Sequence, residues 1–144
     1  MEYRRILVPV DGDSADEEAI KLACNISNRS KGQVYVLYVI EVSWKLPIDA
    51  EMELEVRKAE AVLDYMESIA KQEHSTVQTE VHQARAVGTA VVEEALARRI
   101  DLIVMNTPYE RRYGEFTLGS AAPYVLKNAP CHVWLYRGPM NGTT

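Results

Sequence analysis

The chain has 144 residues, of which 47% are apolar and 26% are charged, and its formal net charge at pH 7 is −5. This composition predicts one soluble globular domain and argues against a nucleic-acid-binding protein, whose surface is usually strongly basic. No apolar stretch approaches the roughly 20 residues that span a bilayer, and none is typical of a signal peptide. Cys24 and Cys131 are predicted to be free thiols with apolar surroundings, which favours a reducing cytoplasm.

The first predicted elements are a strand and a helix joined by a tight turn. The continuous apolar run at 6–10 is typical of a fully buried strand, and the turn residues 11–13 end it. Ser14 and Glu17 have the spacing of a capping box. We therefore expect a helix from this point to Ser30, where Lys and Gly follow and end it.

The next predicted elements are a strand, a long helix and a second strand. Residues 33–41 are apolar and rich in Val and Tyr, as a buried strand requires. A loop over 44–49 leads to a helix over 52–74, in which apolar residues recur at spacings of four and three. Residues 76–83 alternate apolar and polar side chains, which predicts a strand near the edge of a sheet.

A third helix is predicted over 90–99, with Thr89 as its N-cap. The apolar run 102–105 predicts a fourth buried strand. Residues 106–118 are predicted to be a loop, and a short helix should follow Gly119-Ser120 and end at Asn128.

The fifth predicted strand covers 131–136, and residues 138–144 are predicted to be a disordered tail. The order of elements is β-α-β-α-β-α-β-α-β, and the helices are long enough for right-handed crossovers between parallel strands. The sequence thus predicts a single doubly wound, Rossmann-like α/β domain over 1–137. We expect a five-stranded parallel sheet in the order 3-2-1-4-5, with helices on both faces.

Ligands of such sheets bind at the carboxyl ends of the strands, where the strand order reverses. Here those ends are Val10-Asp11-Gly12 and Met105-Asn106-Thr107. Neither G-x-x-x-x-G-K-[ST] nor G-x-G-x-x-G follows a strand. Gly119-Ser120 opens a helix directly, which suits an anion, although Ser is also a common N-cap.

Four motifs occur in order along the chain: Ile6-Leu7-Val8-Pro9-Val10-Asp11-Gly12, Asp101-Leu102-Ile103-Val104-Met105, Gly119-Ser120 and Ala129-Pro130-Cys131-His132-Val133. Together they make the chain resemble the universal stress protein family over nearly its whole length, from Arg4 to Arg137. The resemblance implies a five-stranded adenine-nucleotide-binding fold. It also implies a homodimer that pairs through the last strand.

ATP-binding members of the family carry a G-x-x-G-x9-G-[ST] loop after the fourth strand. Its four fixed positions fall on Asn106, Tyr109, Gly119 and Ser120, so only the last two match. Glycines at the first two positions would let the loop backbone approach a triphosphate. Tyr109 adds bulk there, and Pro108 removes an N–H donor. We therefore expect a degenerate phosphate loop and a changed or weakened ligand.

Arginines offer a compensating set of phosphate ligands. Arg111 and Arg112 lie in the same loop, and Arg85 follows the third strand. Guanidinium groups bind phosphate bidentately. The alternative is that Arg111 and Arg112 are solvated loop charges paired with Glu110 and Glu115.

Two further positions have alternative roles. The resemblance places Asp11 at the adenosine or a divalent cation, whereas the residue type alone suits capping of the turn into the first helix. It places Val39 against adenine, although core packing explains that residue equally well. The complete set of candidate nucleotide-binding residues is Pro9, Val10, Asp11, Val39, Met105, Asn106, Tyr109, Arg111, Arg112, Gly119, Ser120 and Ala121.

No catalytic or metal-binding constellation is evident in the sequence. His74, His82 and His132 are far apart, with no Ser or Cys partner that the pattern places beside them. Acidic residues cluster on predicted helix surfaces, where solvation is the usual explanation. We therefore expect no catalysis, with a weak ATP hydrolase as the least favoured hypothesis.

The leading hypothesis is a regulatory module that binds ATP, AMP or a cyclic dinucleotide, with Mg²⁺ only alongside nucleotide. The alternative is an interaction domain that binds no nucleotide and dimerises through the last strand. The residues of that strand are Val133, Trp134, Leu135 and Tyr136. The loop 46–50 and the glycine-poor fourth loop also resemble domains fused to amino-acid permeases. That looser resemblance implies a membrane transporter as a partner.

Overall fold

The computed structural model describes residues 2–106, 110–112, 115–117 and 121–137. Strands and helices alternate along these residues, except that three strands follow one another before the last helix. The strands are β1 (Arg5–Val10), β2 (Gln33–Glu41), β3 (Val77–Ala84), β4 (Leu102–Asn106), β5 (Glu110–Arg112), β6 (Glu115–Thr117) and β7 (His132–Tyr136). The helices are α1 (Asp16–Ser30), α2 (Glu53–Gln72), α3 (Val87–Ala97) and α4 (Ala121–Asn128).

The main sheet has five parallel strands in the order β3-β2-β1-β4-β7. In terms of its own five strands this is the order 3-2-1-4-5, so the predicted doubly wound α/β topology is confirmed. The central strand β1 is buried along its length from Ile6 to Val10. Its continuous apolar run is explained by helices that cover both faces of the sheet.

Two apolar clusters lie on the two faces of the sheet. Because side chains alternate along a strand, Ile6 and Val8 enter the cluster under α1 and α2, whereas Leu7 enters the cluster with α3 and α4. Each fully buried Leu or Val contributes about 1.5–3 kcal/mol relative to an exposed one. The two clusters hold the strands in register and so fix the position of the strand ends that form the candidate site.

The ends of the helices differ in part from the sequence predictions. Helix α1 has Ala15 as its N-cap, with no side-chain cap, so the predicted capping box of Ser14 and Glu17 is wrong. Glu17 instead accepts a hydrogen bond from the Tyr65 hydroxyl. Thr89 is not an N-cap either, because α3 begins two residues earlier, after the extended backbone of Ala86. The predicted end of α1 is confirmed, since Lys31 is left-handed with φ 57°.

The stretch predicted to be a loop over 106–118 contains two short antiparallel strands, β5 and β6. The prediction is wrong there because strands of three residues are too short to show a hydrophobic period. Cys24 is buried and Cys131 half-buried, and both are free thiols. None of the helices in the described part of the chain is both long and apolar enough to cross a lipid bilayer.

Candidate functional site

The candidate site lies at the carboxyl ends of β1 and β4, where the chain leaves the sheet in opposite directions. These strands are neighbours, with Ile6 opposite Leu102 and Leu7 opposite Ile103. After β1 the chain enters α1 on one face of the sheet. The helix α4 that follows β4 packs on the other face, against α3. The two strand ends therefore flank a crevice of the kind that binds ligands in open α/β sheets.

The turn after β1 is held by two short acidic side chains. The backbone N–H of Asp13 donates to Asp11 Oδ1 at 3.0 Å, and the N–H of Ala15 donates to Asp13 Oδ1 at 2.8 Å. Gly12 has φ 93°, a conformation that L-residues with a side chain rarely adopt. Asp11 thus makes the turn-capping contact proposed as its alternative role. Its side chain is exposed at the mouth of the crevice.

A buried carboxylate that the sequence analysis missed lies directly beneath this turn. The Asp16 side chain is 0% exposed and accepts hydrogen bonds from the N–H groups of Asp11 (3.1 Å) and Gly12 (2.8 Å). Burial raises the pKa of Asp16 from 3.8 to about 6, and the nearby charge of Asp11 adds to the rise, while the two N–H donors oppose it. In the sequence, Asp16 has the pattern of an ordinary acid in a first helical turn.

Asn106 connects the end of β4 to the turn after β1. Its side-chain amide donates to Asp16 Oδ1, across 90 positions of sequence. Asn106 stands at the first position of the family's glycine-rich loop, so a side chain occupies a place where glycine would leave space. Because that amide is bonded to Asp16, the two strand ends are linked to each other.

An apolar core cluster adjoins this link on the α3 and α4 side of the sheet. Met105 is buried in this cluster and half-buried Val39 packs against it, so these two candidate residues lie on the same face of the sheet. Val87 and Ala121, the first residues of α3 and α4, pack against the same cluster. Val10 is separate from this group, since its side chain lies in the cluster under α1 and α2.

The arginine predicted to lie near the site has other partners. Arg85 Nη1 donates to the carbonyl oxygens of Ser43 at 2.7 Å and Leu46 at 2.9 Å. Its guanidinium also lies over the Trp44 ring, 4.6 Å from the ring centroid. Arg85 therefore stabilises the loop after β2. Because its guanidinium is engaged in these contacts, Arg85 does not act as the phosphate ligand that the sequence suggested.

The remaining candidates lie in β1 and in the stretch that follows β4. Pro9 is buried within β1. Arg111 and Arg112 belong to strand β5. Tyr109, Gly119 and Ser120 lie outside the described residues, as does the predicted tail over 138–144.

The sequence over residues 2–137 matches the model of the universal stress protein family. The chain belongs to this family. A universal stress protein of Methanocaldococcus jannaschii is 32% identical over 143 residues, which cover 95% of this chain and 84% of that protein.

Solved structures of the family share the fold. UspA from Lactobacillus plantarum is 24% identical with a TM-score of 0.78, covering 95% of this chain and 99% of that one. The Archaeoglobus fulgidus universal stress protein in complex with dAMP is 18% identical with a TM-score of 0.74, covering 94% and 98%. A family protein from Arabidopsis thaliana with AMP bound is 15% identical with a TM-score of 0.71, covering 98% and 95%.

Proposed function

We propose that the chain is a regulatory module that binds an adenine nucleotide at the carboxyl ends of β1 and β4. The observation that carries this proposal is the apolar cluster that contains Met105, because half-buried Val39 and the first residues of two helices, Val87 and Ala121, all pack against it. Relatives of the same fold hold AMP and dAMP. Regulation through nucleotide binding is the proposed output.

The chemistry around this cluster suits the two ends of a nucleotide. A purine ring gains by packing on apolar side chains, and half-buried Val39 at the edge of this cluster supplies one. The N-termini of α3 and α4 carry partial positive charge and N–H groups without intrahelical partners, which favour phosphate. A Cβ on Gly88 would lie 3.0 Å from Tyr124 Cβ, so glycine at this position lets α3 and α4 approach closely.

The fourth loop is the reason to propose a nucleotide with few phosphates. Asn106 uses its amide on Asp16, and Tyr109 replaces the second glycine that would let the backbone surround a triphosphate. Fewer backbone donors near the β- and γ-phosphates weaken ATP binding more than AMP binding. We therefore expect AMP to bind at least as tightly as ATP, with or without Mg²⁺.

The test is a thermal-shift and calorimetric titration of the full chain with AMP, ATP and cyclic dinucleotides, with and without Mg²⁺. Bound AMP should raise the melting temperature by mass action. Asp11→Ala should weaken AMP binding at least tenfold, because the family resemblance places this carboxylate at the adenosine. Asp13→Ala is the matched control, since each substitution removes one backbone hydrogen bond from the same turn.

Two results would contradict the proposal. One is the absence of any nucleotide-induced shift at millimolar concentration. The other is an equal loss of AMP affinity in the Asp11→Ala and Asp13→Ala variants, because the effect would then arise from the turn itself.

A second candidate function is an interaction domain that pairs through β7. In the main sheet β7 is an edge strand, and its Trp134 side chain is 39% exposed although it is large and apolar. A second copy pairing along this edge would cover both the tryptophan and the strand's free hydrogen-bonding groups. A dimer in sedimentation that is lost in Trp134→Ser, together with no nucleotide response, would favour this function over the first.

A further inference from the structure

A cluster of charged side chains lies on the edge strand β3 and the adjacent helix α3, on the opposite side of the sheet centre from β7. Glu80 and His82 are two residues apart on β3 and therefore share a face of the sheet. Glu94 of α3 approaches the same face. One ligand atom from each of these three residues lies within 4.8 Å of the other two. We call Glu80, His82 and Glu94 the β3–α3 cluster.

The imidazole of His82 lies between the two carboxylates. Its Nε2 is 2.9 Å from Glu80 Oε2, and its Nδ1 is 3.8 Å from Glu94 Oε1, which is beyond hydrogen-bond distance. Glu94 is only 9% exposed. The cluster therefore brings one nitrogen ligand and two oxygen ligands together, one of them on a nearly buried carboxylate.

Arg98 holds the two carboxylates from the other side. Its Nε is 2.6 Å from Glu94 Oε2, and its Nη2 pairs with Glu80 Oε1. The guanidinium is fixed in turn by the Tyr35 ring, whose centroid lies 4.6 Å from the guanidinium carbon. Arg98 thus uses one oxygen of each carboxylate and leaves Glu80 Oε2 and Glu94 Oε1 directed toward His82. Such support from outside the ligand set is how proteins orient metal ligands.

Two acidic side chains of this arrangement face a single guanidinium, that of Arg98. A bound divalent cation would add positive charge on the side of the carboxyl groups that Arg98 does not contact.

The cluster is accessible from solvent. A groove of about 530 Å³ is lined by residues that include His82 and Glu94. An ion bound to the cluster would have space for water molecules to complete its coordination. The ligand set favours a particular class of ion, because imidazole together with carboxylates suits Zn²⁺ and neighbouring transition metals, whereas Mg²⁺ and Ca²⁺ prefer oxygen alone.

We propose that Glu80, His82 and Glu94 bind a divalent transition-metal ion of the Zn²⁺ type, with Arg98 orienting both carboxylates. This site lies on the edge of the sheet remote from β7 and is separate from the proposed nucleotide site. It requires no nucleotide. The competing explanation is a purely structural ion-pair network that places charge on an edge strand and so discourages pairing with other chains.

The test is calorimetric titration of the metal-free full chain with Zn²⁺, with Co²⁺ absorption as a second readout. We expect saturation at one ion per chain. His82→Gln and Glu94→Gln should each weaken Zn²⁺ binding at least tenfold, as loss of a metal contact does. The matched control is His74→Gln, because His74 is exposed and outside the cluster. Each variant is first shown to be folded by circular dichroism.

A second control addresses the histidine near Cys131. His132→Gln should leave Zn²⁺ affinity unchanged, and the visible absorption of Co²⁺ should disappear only in the cluster variants. Absence of saturable Zn²⁺ binding overturns the proposal and leaves the ion-pair network. Unchanged affinity in His82→Gln also overturns it, because the ion would then bind elsewhere.

Discussion

Two regions of the molecule bury a carboxylate beside another acid, and they stabilise it in different ways. Asp16 lies below the turn after β1, next to Asp11. Its carboxylate accepts hydrogen bonds from backbone N–H groups and from the Asn106 amide. Glu94 lies in the β3–α3 cluster, next to Glu80. Its carboxylate forms an ion pair with the guanidinium of Arg98, which also pairs with Glu80.

The difference appears in the pKa values. Dipoles alone do not offset the burial of Asp16, so its pKa rises to about 6. At Glu80, which is less buried, hydrogen bonding with Glu94 and then the charges of Arg98 and His82 outweigh burial and lower the pKa. Backbone amides can therefore position a buried carboxylate without fully offsetting the cost of burying its charge.

The largest test of this comparison is the pH dependence of Asp16→Asn. The pKa of Asp16 is raised from 3.8 to about 6, so the folded state keeps a proton that the unfolded state has lost between these values. The contribution of Asp16 to the free energy of unfolding is therefore largest below about pH 4. It decreases as the pH rises from 4 to about 6, and it does not change further at higher pH. Between pH 4 and pH 7 the free energy of unfolding of the asparagine variant should rise by about 2–3 kcal/mol relative to that of the original chain.

Urea unfolding at a series of pH values measures this difference in free energy of unfolding. Asp64→Asn is the matched control, because it makes the same chemical change at an exposed position of α2. If the gain of Asp16→Asn over the original chain were the same at pH 4 and pH 7, amide compensation of Asp16 would be complete and the contrast with Glu94 would fail.

A smaller effect is expected from Arg98→Met. This change keeps an apolar side chain near Tyr35 but leaves the carboxylates of Glu80 and Glu94 without a counter-charge. We expect a loss of about 2 kcal/mol at pH 7, below the 3–5 kcal/mol typical of fully buried pairs because the site is partly solvated. Arg57→Met removes the exposed pair with Glu53 and should cost under about 0.5 kcal/mol. Equal losses in chemical denaturation would show that burial of Glu94 carries no cost.

The smallest effect concerns Asn106→Ala, which removes the side-chain donor to Asp16. The expected loss is about 1 kcal/mol above pH 6, where Asp16 is ionised. Asn28→Ala removes an exposed side-chain hydrogen bond to Glu73 O at 2.9 Å and should have almost no effect. A double-mutant cycle between positions 16 and 106 measures the coupling directly. Additive losses would mean that the two side chains act independently.

The fold was largely predictable because its signals are regular. The continuous apolar runs of β1 and β4, the alternation of β3 and the helical period of α2 each span enough residues to be unambiguous. Helix starts were less predictable, since Ser14 and Thr89 have capping chemistry that the chain does not use there. The short strands β5 and β6 offered three residues each, too few for a period.

The candidate site was predictable only where it depends on topology. The strand order places Asp11 and Asn106 at neighbouring strand ends, and the face shared by Val39 and Met105 follows from strand alternation. The burial of Asp16 was not predictable, because a first-turn acid is normally solvated. The approach of Glu94 to Glu80 and His82 was not predictable either, because it depends on how α3 packs on β3. The two-residue spacing of Glu80 and His82 is the one signal that could have indicated it.

The contact between the beginning and the end of the chain has a consequence for folding order. The Tyr3 hydroxyl and His132 Nδ1 are hydrogen-bonded at 2.7 Å. The Tyr3 ring also packs edge to face against the Trp134 ring, with a centroid distance of 5.6 Å. These partners are 129 and 131 positions away in sequence, so their contact closes a loop of nearly the whole chain, and the entropy of closure delays it. We expect these contacts of Tyr3 with β7 to form late when the chain refolds, after β7 has paired with β4.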